Sequence, residues 1–104
     1  MTIQLNADKS LTIHEGFGDQ IKDLLTEELS RFTEYISRLE VHLSDENGSK
    51  PGLKDKRCMI EARLQGRQPI AVTALNSTYE LAVNNAVDKL TTSMDTIFGR
   101  MKAY

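Results

Sequence analysis

The chemistry on offer in this sequence lies in its cations. Six of them, Lys50, Lys54, Lys56, Arg57, Arg63 and Arg67, fall within eighteen residues that hold only two carboxylates. The 49 residues before that stretch carry four Lys/Arg against ten Asp/Glu, and the 37 residues after it carry three of each. Ammonium and guanidinium groups concentrated in this way suit phosphate oxygens, which accept charge-assisted hydrogen bonds from both. The net charge of −2 argues against a surface that is basic throughout. The ordinary role of such a charge run is a solvated loop and strand face.

Other reactive types are scattered. His14 and His42 have no second ligand at metal spacing, so no zinc site is expected. Cys58 is the single cysteine, cannot form an internal disulfide, and falls at an inward strand position where a thiol acts as a small apolar group. Gly16-Phe17-Gly18 is too short for a dinucleotide fingerprint, and no Walker-type lysine loop is present. Adjacent Asp45 and Glu46 sit in a turn-rich stretch, where carboxylates ordinarily solvate a loop. No catalytic constellation or cofactor motif emerges, and the expectation is a protein that is not an enzyme and needs no cofactor.

The elements that must position the cations follow from periodicity. Thr2 to Ala7 alternates, with Ile3 and Leu5 on one side and Thr2, Gln4 and Asn6 on the other, as in a half-buried strand. Thr12 and Glu15 have capping-box spacing. Phe17, Ile21, Leu24, Leu25, Leu29 and Phe32 then form an apolar stripe that predicts a helix to about Arg31, its first turn weakened by Gly16 and Gly18. Ile36 to Asp45 returns to period two, with Leu39, Val41 and Leu43 inward and Arg38, Glu40 and His42 outward.

Residues 45–52 collect turn formers. Lys56 to Gln65 is the third strand, with Cys58, Ile60, Ala62 and Leu64 inward and Arg57, Met59, Glu61 and Arg63 outward. Gly66-Arg67 turns into a fourth strand, Pro69 to Leu75. Ser77 and Glu80 suggest a second capping box, ahead of a helix of about 25 residues running to Met101 and extending roughly 37 Å. The order β-α-β-β-β-α predicts an α+β fold, a four-stranded sheet with two helices packed on one face and its opposite face wet. That wet face, bearing Arg57 and Arg63 beside the basic loop, is the main electropositive surface.

Composition sets the frame. A chain of 104 residues, 39% apolar and 27% charged, suits one soluble domain spanning residues 1–104. No run approaches the ~20 apolar residues of a bilayer span, and the amino terminus lacks the basic start and apolar stretch of a secretory signal. The expected compartment is the cytoplasm, without membrane association.

Several stretches resemble a known family. His42-Leu43-Ser44-Asp45-Glu46-Asn47-Gly48, then Asp55-Lys56-Arg57-Cys58 with Ile60-Glu61-Ala62-Arg63-Leu64, are similar to the ribosome hibernation promoting factors. These are also called ribosome-associated inhibitors or sigma-54 modulation proteins. Tyr79, Ala82, Ala86 and Val87-Asp88-Lys89-Leu90 carry the likeness into the last helix.

The resemblance implies a stress-response factor that occupies the decoding region of the small ribosomal subunit and idles translation. It binds rRNA phosphates rather than DNA, in a sequence-tolerant electrostatic mode. The implied rRNA-binding residues are Lys54, Lys56, Arg57, Arg63, Arg67, Lys89 and Arg100. A short, monomeric form acting on single ribosomes is expected, since the long forms add a carboxy-terminal domain that pairs two.

The sequence also departs from the family pattern. After Lys89 come Thr91, Thr92, Ser93, Asp95 and Thr96 before Arg100 and Lys102. Asp19, Asp23, Glu27 and Glu28 outnumber Lys22 and Arg31 in the first helix, so its outer face repels phosphate. The competing expectation is a protein-interaction module of the same fold without ribosome affinity.

Overall fold

The structure, a computed structural model, describes residues 1–7, 15–45 and 56–99. Alternation of apolar and polar residues produces four strands: β1 (Thr2–Ala7), β2 (Ile36–Asp45), β3 (Lys56–Leu64) and β4 (Ile70–Asn76). They lie in the order β1-β2-β3-β4. β1 pairs parallel with β2, and β2–β3 and β3–β4 pair antiparallel. Two helices, α1 (Glu15–Glu28) and α2 (Tyr79–Met94), complete the β-α-β-β-β-α order.

The inward residues of β2 and β3 are closed off from solvent: Leu39, Val41, Leu43, Cys58, Ile60 and Ala62 are each at most 1% exposed. Against them pack Ile21, Leu25 and Leu29 from the α1 side, with Val83, Ala86, Leu90 and Met94 from α2. Burying each large aliphatic side chain favours the fold by roughly 1.5–3 kcal/mol. Helices on one face leave the other to polar side chains, so the core chooses the face on which the arginines of β3 must point.

α1 begins at Glu15 despite its glycines, and a Cβ at Gly18 would stand 3.4 Å from Leu5 Cδ2 of β1, an ordinary contact; Thr12, its expected cap, lies outside the described residues. Gly66 has φ +71°, the left-handed conformation that the β3–β4 turn requires.

Boundaries depart from expectation in several places. α1 ends at Glu28 and passes into a single 3₁₀ turn, Ser30–Phe32, in which Phe32 N–H donates to Leu29 O at 2.9 Å. β3 stops at Leu64 because Gln65 N–H donates to Tyr35 O instead, and β4 begins at Ile70 rather than at Pro69, which has no N–H to give.

The cap of α2 is Thr78, not Ser77: Thr78 is extended (φ −133°, ψ 158°) and its Oγ1 accepts from Leu81 N–H at 3.1 Å, while Ser77 N–H is held by Asn76 Oδ1. α2 has 16 residues, about 24 Å, and then widens into a π-turn, Asp95–Gly99. Threonine hydroxyls of Thr91, Thr92 and Thr96 each donate to the carbonyl four residues earlier, a contact that loosens and bends helices.

The π-turn brings Phe98 over Tyr35, ring centroids 4.2 Å apart and planes 11° apart, and Arg31 fixes Asp95 at 2.7 Å. Residues 100–104 of the expected long helix lie outside the described residues.

Candidate nucleic-acid interface

Outward residues of the sheet form rungs fixed by register. Thr2, Arg38 and Arg63 make the first, Gln4, Glu40, Glu61 and Ala71 the second, Asn6, His42, Met59 and Thr73 the third, and Ser44, Arg57 and Leu75 the fourth. Arg57 and Arg63 thus share the outer face, but six residues of strand, roughly 20 Å, separate them.

At the Arg63 end the charges close on one another. Arg63 Nε lies 3.3 Å from Glu40 Oε2 and 3.4 Å from Glu61 Oε1, and Arg38 Nε lies 3.6 Å from Glu40 Oε2. Glu40 and Glu61 face each other across the ladder, a like-charge pairing that destabilises a sheet unless a cation bridges it. Arg63 is that bridge. The pairs are solvent-accessible, and such contacts are worth only about 0.2–1 kcal/mol, so a phosphate can recruit either arginine for less than about a fivefold loss in affinity.

The other end differs. Arg57 lies beside Ser44, with His42, Met59 and Asn6 on the adjoining rung, around a groove on the outer face. Next to Arg57 in sequence, Cys58 points the opposite way into the core, where burial pushes its thiol up to about 12 against a smaller lowering by the Arg57 charge. It stays a thiol at neutral pH and carries no reactivity.

The remaining expected cations are dispersed. Lys56 belongs by alternation to the helix side of the sheet: its Nζ donates to Asp45 Oδ2 at 2.9 Å and lies 5.9 Å from the Tyr79 ring centroid. Arg67 lies over Phe98, its Cζ 5.3 Å from the ring centroid, at the β3–β4 turn. Lys89, on α2, donates to Thr73 O of the edge strand β4 at 2.7 Å. Lys54 and Arg100 lie outside the described residues.

The outer face therefore gathers Arg57 and Arg63, together with two groups that sequence reasoning did not select, Arg38 and His42. Period two places both outward. What it cannot supply is the cross-strand register that sets Arg38 opposite Arg63 and His42 one rung from Arg57. α1 presents Asp19, Asp23, Glu27 and Glu28 to solvent. Among the described residues no three His, Cys, Asp or Glu side chains come together to hold a metal ion, and no helix is long and apolar enough to cross a membrane.

Comparison with known proteins follows this geometry. The family described as sigma 54 modulation protein / S30EA ribosomal protein matches residues 12–102. The fold is similar to the N-terminal domain of Thermus thermophilus Protein Y, with TM-score 0.73 and 24% identity over 93% of this chain and 99% of that one. It is also similar to a ribosomal subunit interface protein from Coxiella burnetii, with TM-score 0.70 and 18% identity over 95% and 99% of the two chains. At these identities the likeness establishes the fold. No curated protein sequence matches the chain.

Proposed function

This chain belongs to the sigma 54 modulation protein / S30EA ribosomal protein family, a family of ribosome-associated factors rather than an enzyme class, and from that premise we propose that it binds the small ribosomal subunit near the decoding region as a hibernation factor. The observation that carries the reading is the family match over residues 12–102. It is supported by an outer sheet face, free of helices, on which Arg38, Arg57 and Arg63 outnumber Glu40 and Glu61. Sequence-tolerant binding of rRNA needs little more than cations on a rigid surface that meets phosphate oxygens.

Arg57 and Arg63 act from the sheet. Lys56 and Arg67 flank its two ends, Lys89 extends the positive surface along the β4 edge, and Lys54 and Arg100 add charge from outside the described residues. The protein acts as a monomer in the cytoplasm and blocks mRNA and tRNA sites while bound.

A second reading has a specific observation in its favour. The exposed acidic face of α1 repels rRNA, and expected cations are engaged within the chain, among them Lys56 with Asp45, Arg63 with Glu40 and Glu61, Arg67 with the Phe98 ring and Lys89 with Thr73 O. These features suit a module that kept the fold and binds a protein instead.

Co-sedimentation of the purified protein with small subunits across a salt series separates the two. Saturable binding that weakens steeply with salt, the log–log slope tracking about 0.7–0.9 per phosphate neutralised, is the expected result. Absence of binding even at low salt leaves the family fold without its ribosomal role and puts the protein-binding reading in front.

A further inference from the structure

β4 is the last strand of the sheet, so one side of its backbone has no strand beside it among the described residues. The direction of its backbone groups follows from the other end of the ladder. Gln65 N–H donates to Tyr35 O at 3.0 Å, and by alternation the odd-numbered residues of β3 likewise face β2. The even-numbered residues of β3 then serve β4, where Ile70, Val72, Ala74 and Asn76 turn to meet them. The N–H and C=O groups of Ala71, Thr73 and Leu75 are left pointing outward from the sheet.

This edge carries none of the usual protection of its own. Ile70 to Leu75 holds no charged residue and no proline, its register against β3 runs without a bulge, and Leu75 is 48% exposed. Such a strand is a template for another chain. It is also self-complementary. A two-fold axis at Thr73 sets Thr73 against its own copy and Ala71 against Leu75 of the second copy, so that outward donors meet outward acceptors and no like charges are opposed.

One side chain stands in the way. Lys89 reaches from α2 to the β4 edge and donates to Thr73 O at 2.7 Å, on the position of that axis. A paired dimer would have to displace two Lys89 side chains, each losing a charged hydrogen bond, and would hold both charges close together.

We propose that Lys89 guards the β4 edge and keeps the chain monomeric by blocking antiparallel pairing with a second copy. The proposal deepens the monomer reading above and rests on it. Residues 8–14, 46–55 and 100–104 lie outside the described residues and hold further cations, so the experiment locates the contact as well as detecting it.

Sedimentation equilibrium of the full chain over a concentration series is paired with amide hydrogen exchange read by NMR. The wild-type chain should stay monomeric, the amides of Ala71, Thr73 and Leu75 exchanging faster than those of Val72 and Ala74. Lys89→Met keeps the apolar stem and removes the donor. It should self-associate at least about tenfold more tightly, the worth of one charged hydrogen bond, and gain protection at Ala71, Thr73 and Leu75. Lys89→Arg should stay monomeric, since a guanidinium can make the same donation, and so should Lys22→Met, an equal change of charge on α1. Thr73→Pro added to Lys89→Met should restore the monomer, because it deletes an outward N–H that β3 does not use. Folded Lys89→Met that remains monomeric, or protection that falls on β1 instead of β4, overturns the guard and leaves the monomer reading in place. A wild-type chain that is itself a dimer overturns both.

Discussion

Both ends of the outer sheet face carry arginine, but in different company. At one end Arg38 and Arg63 meet Glu40 and Glu61, and the four charges cancel within 3.3–3.6 Å contacts. At the other, Arg57 shares a groove with Asn6, His42 and Ser44, and no carboxylate of β2 or β3 stands on its rung. The difference teaches that counting cations along a strand overstates attraction for phosphate. What matters is which rung holds the carboxylates, and here both outward carboxylates of β2 and β3 lie nearer Arg63 than Arg57.

The platform common to both ends offers the largest effect. Ile60 is 0% exposed beneath the middle of the face, and Ile60→Ala should destabilise the fold by about 2–5 kcal/mol in urea unfolding. Binding per folded molecule should stay unchanged, since no outward group is altered. A selective loss of binding in folded Ile60→Ala would break the separation between core and surface.

Next comes the closed end. Glu40→Gln with Glu61→Gln releases two arginines, so affinity for small subunits at low salt should rise about five- to tenfold, with a salt slope steeper by roughly one to two. No gain would mean that this end does not face RNA. Arg57→Gln should lower the same affinity about five- to tenfold, the lower part of the ~1–3 kcal/mol of a charged hydrogen-bonding contact.

Arg63→Gln should lower stability. It leaves Glu40 facing Glu61 without its bridge and should cost about 0.5–1 kcal/mol, recovered when Glu40→Gln is added. Unchanged stability in Arg63→Gln would mean that Arg63 does not bridge the two carboxylates.

Much of the fold was legible because its elements obey simple periods. Ile36–Asp45 alternates over ten residues with Leu39, Val41 and Leu43 inward, and the observed β2 has the same limits. Helical ends were less legible. Ser77 and Thr78 are both competent caps, and the choice between them was settled by Asn76 engaging Ser77, a contact that periodicity does not encode. The end of α2 was set by threonine back-bonding and by the stacking of Phe98 on Tyr35, sixty-three residues away in the chain.

The candidate site was legible only in part. Outward positions of Arg57 and Arg63 follow from alternation, whereas the engagement of Arg63 by Glu40 depends on the register between β2 and β3, which residues 46–55 leave open in the sequence. Lys56 sits one position from Arg57 and therefore on the other side of the sheet, against Asp45 and Tyr79.

Chemical footprinting of small-subunit rRNA at increasing protein concentration tests the central claim most directly, because it reports binding and its place together. Saturable protection confined to the decoding region, weakened in Arg57→Gln, is the expected result. Unchanged reactivity at saturating protein and low salt, or protection far from that region, would contradict it.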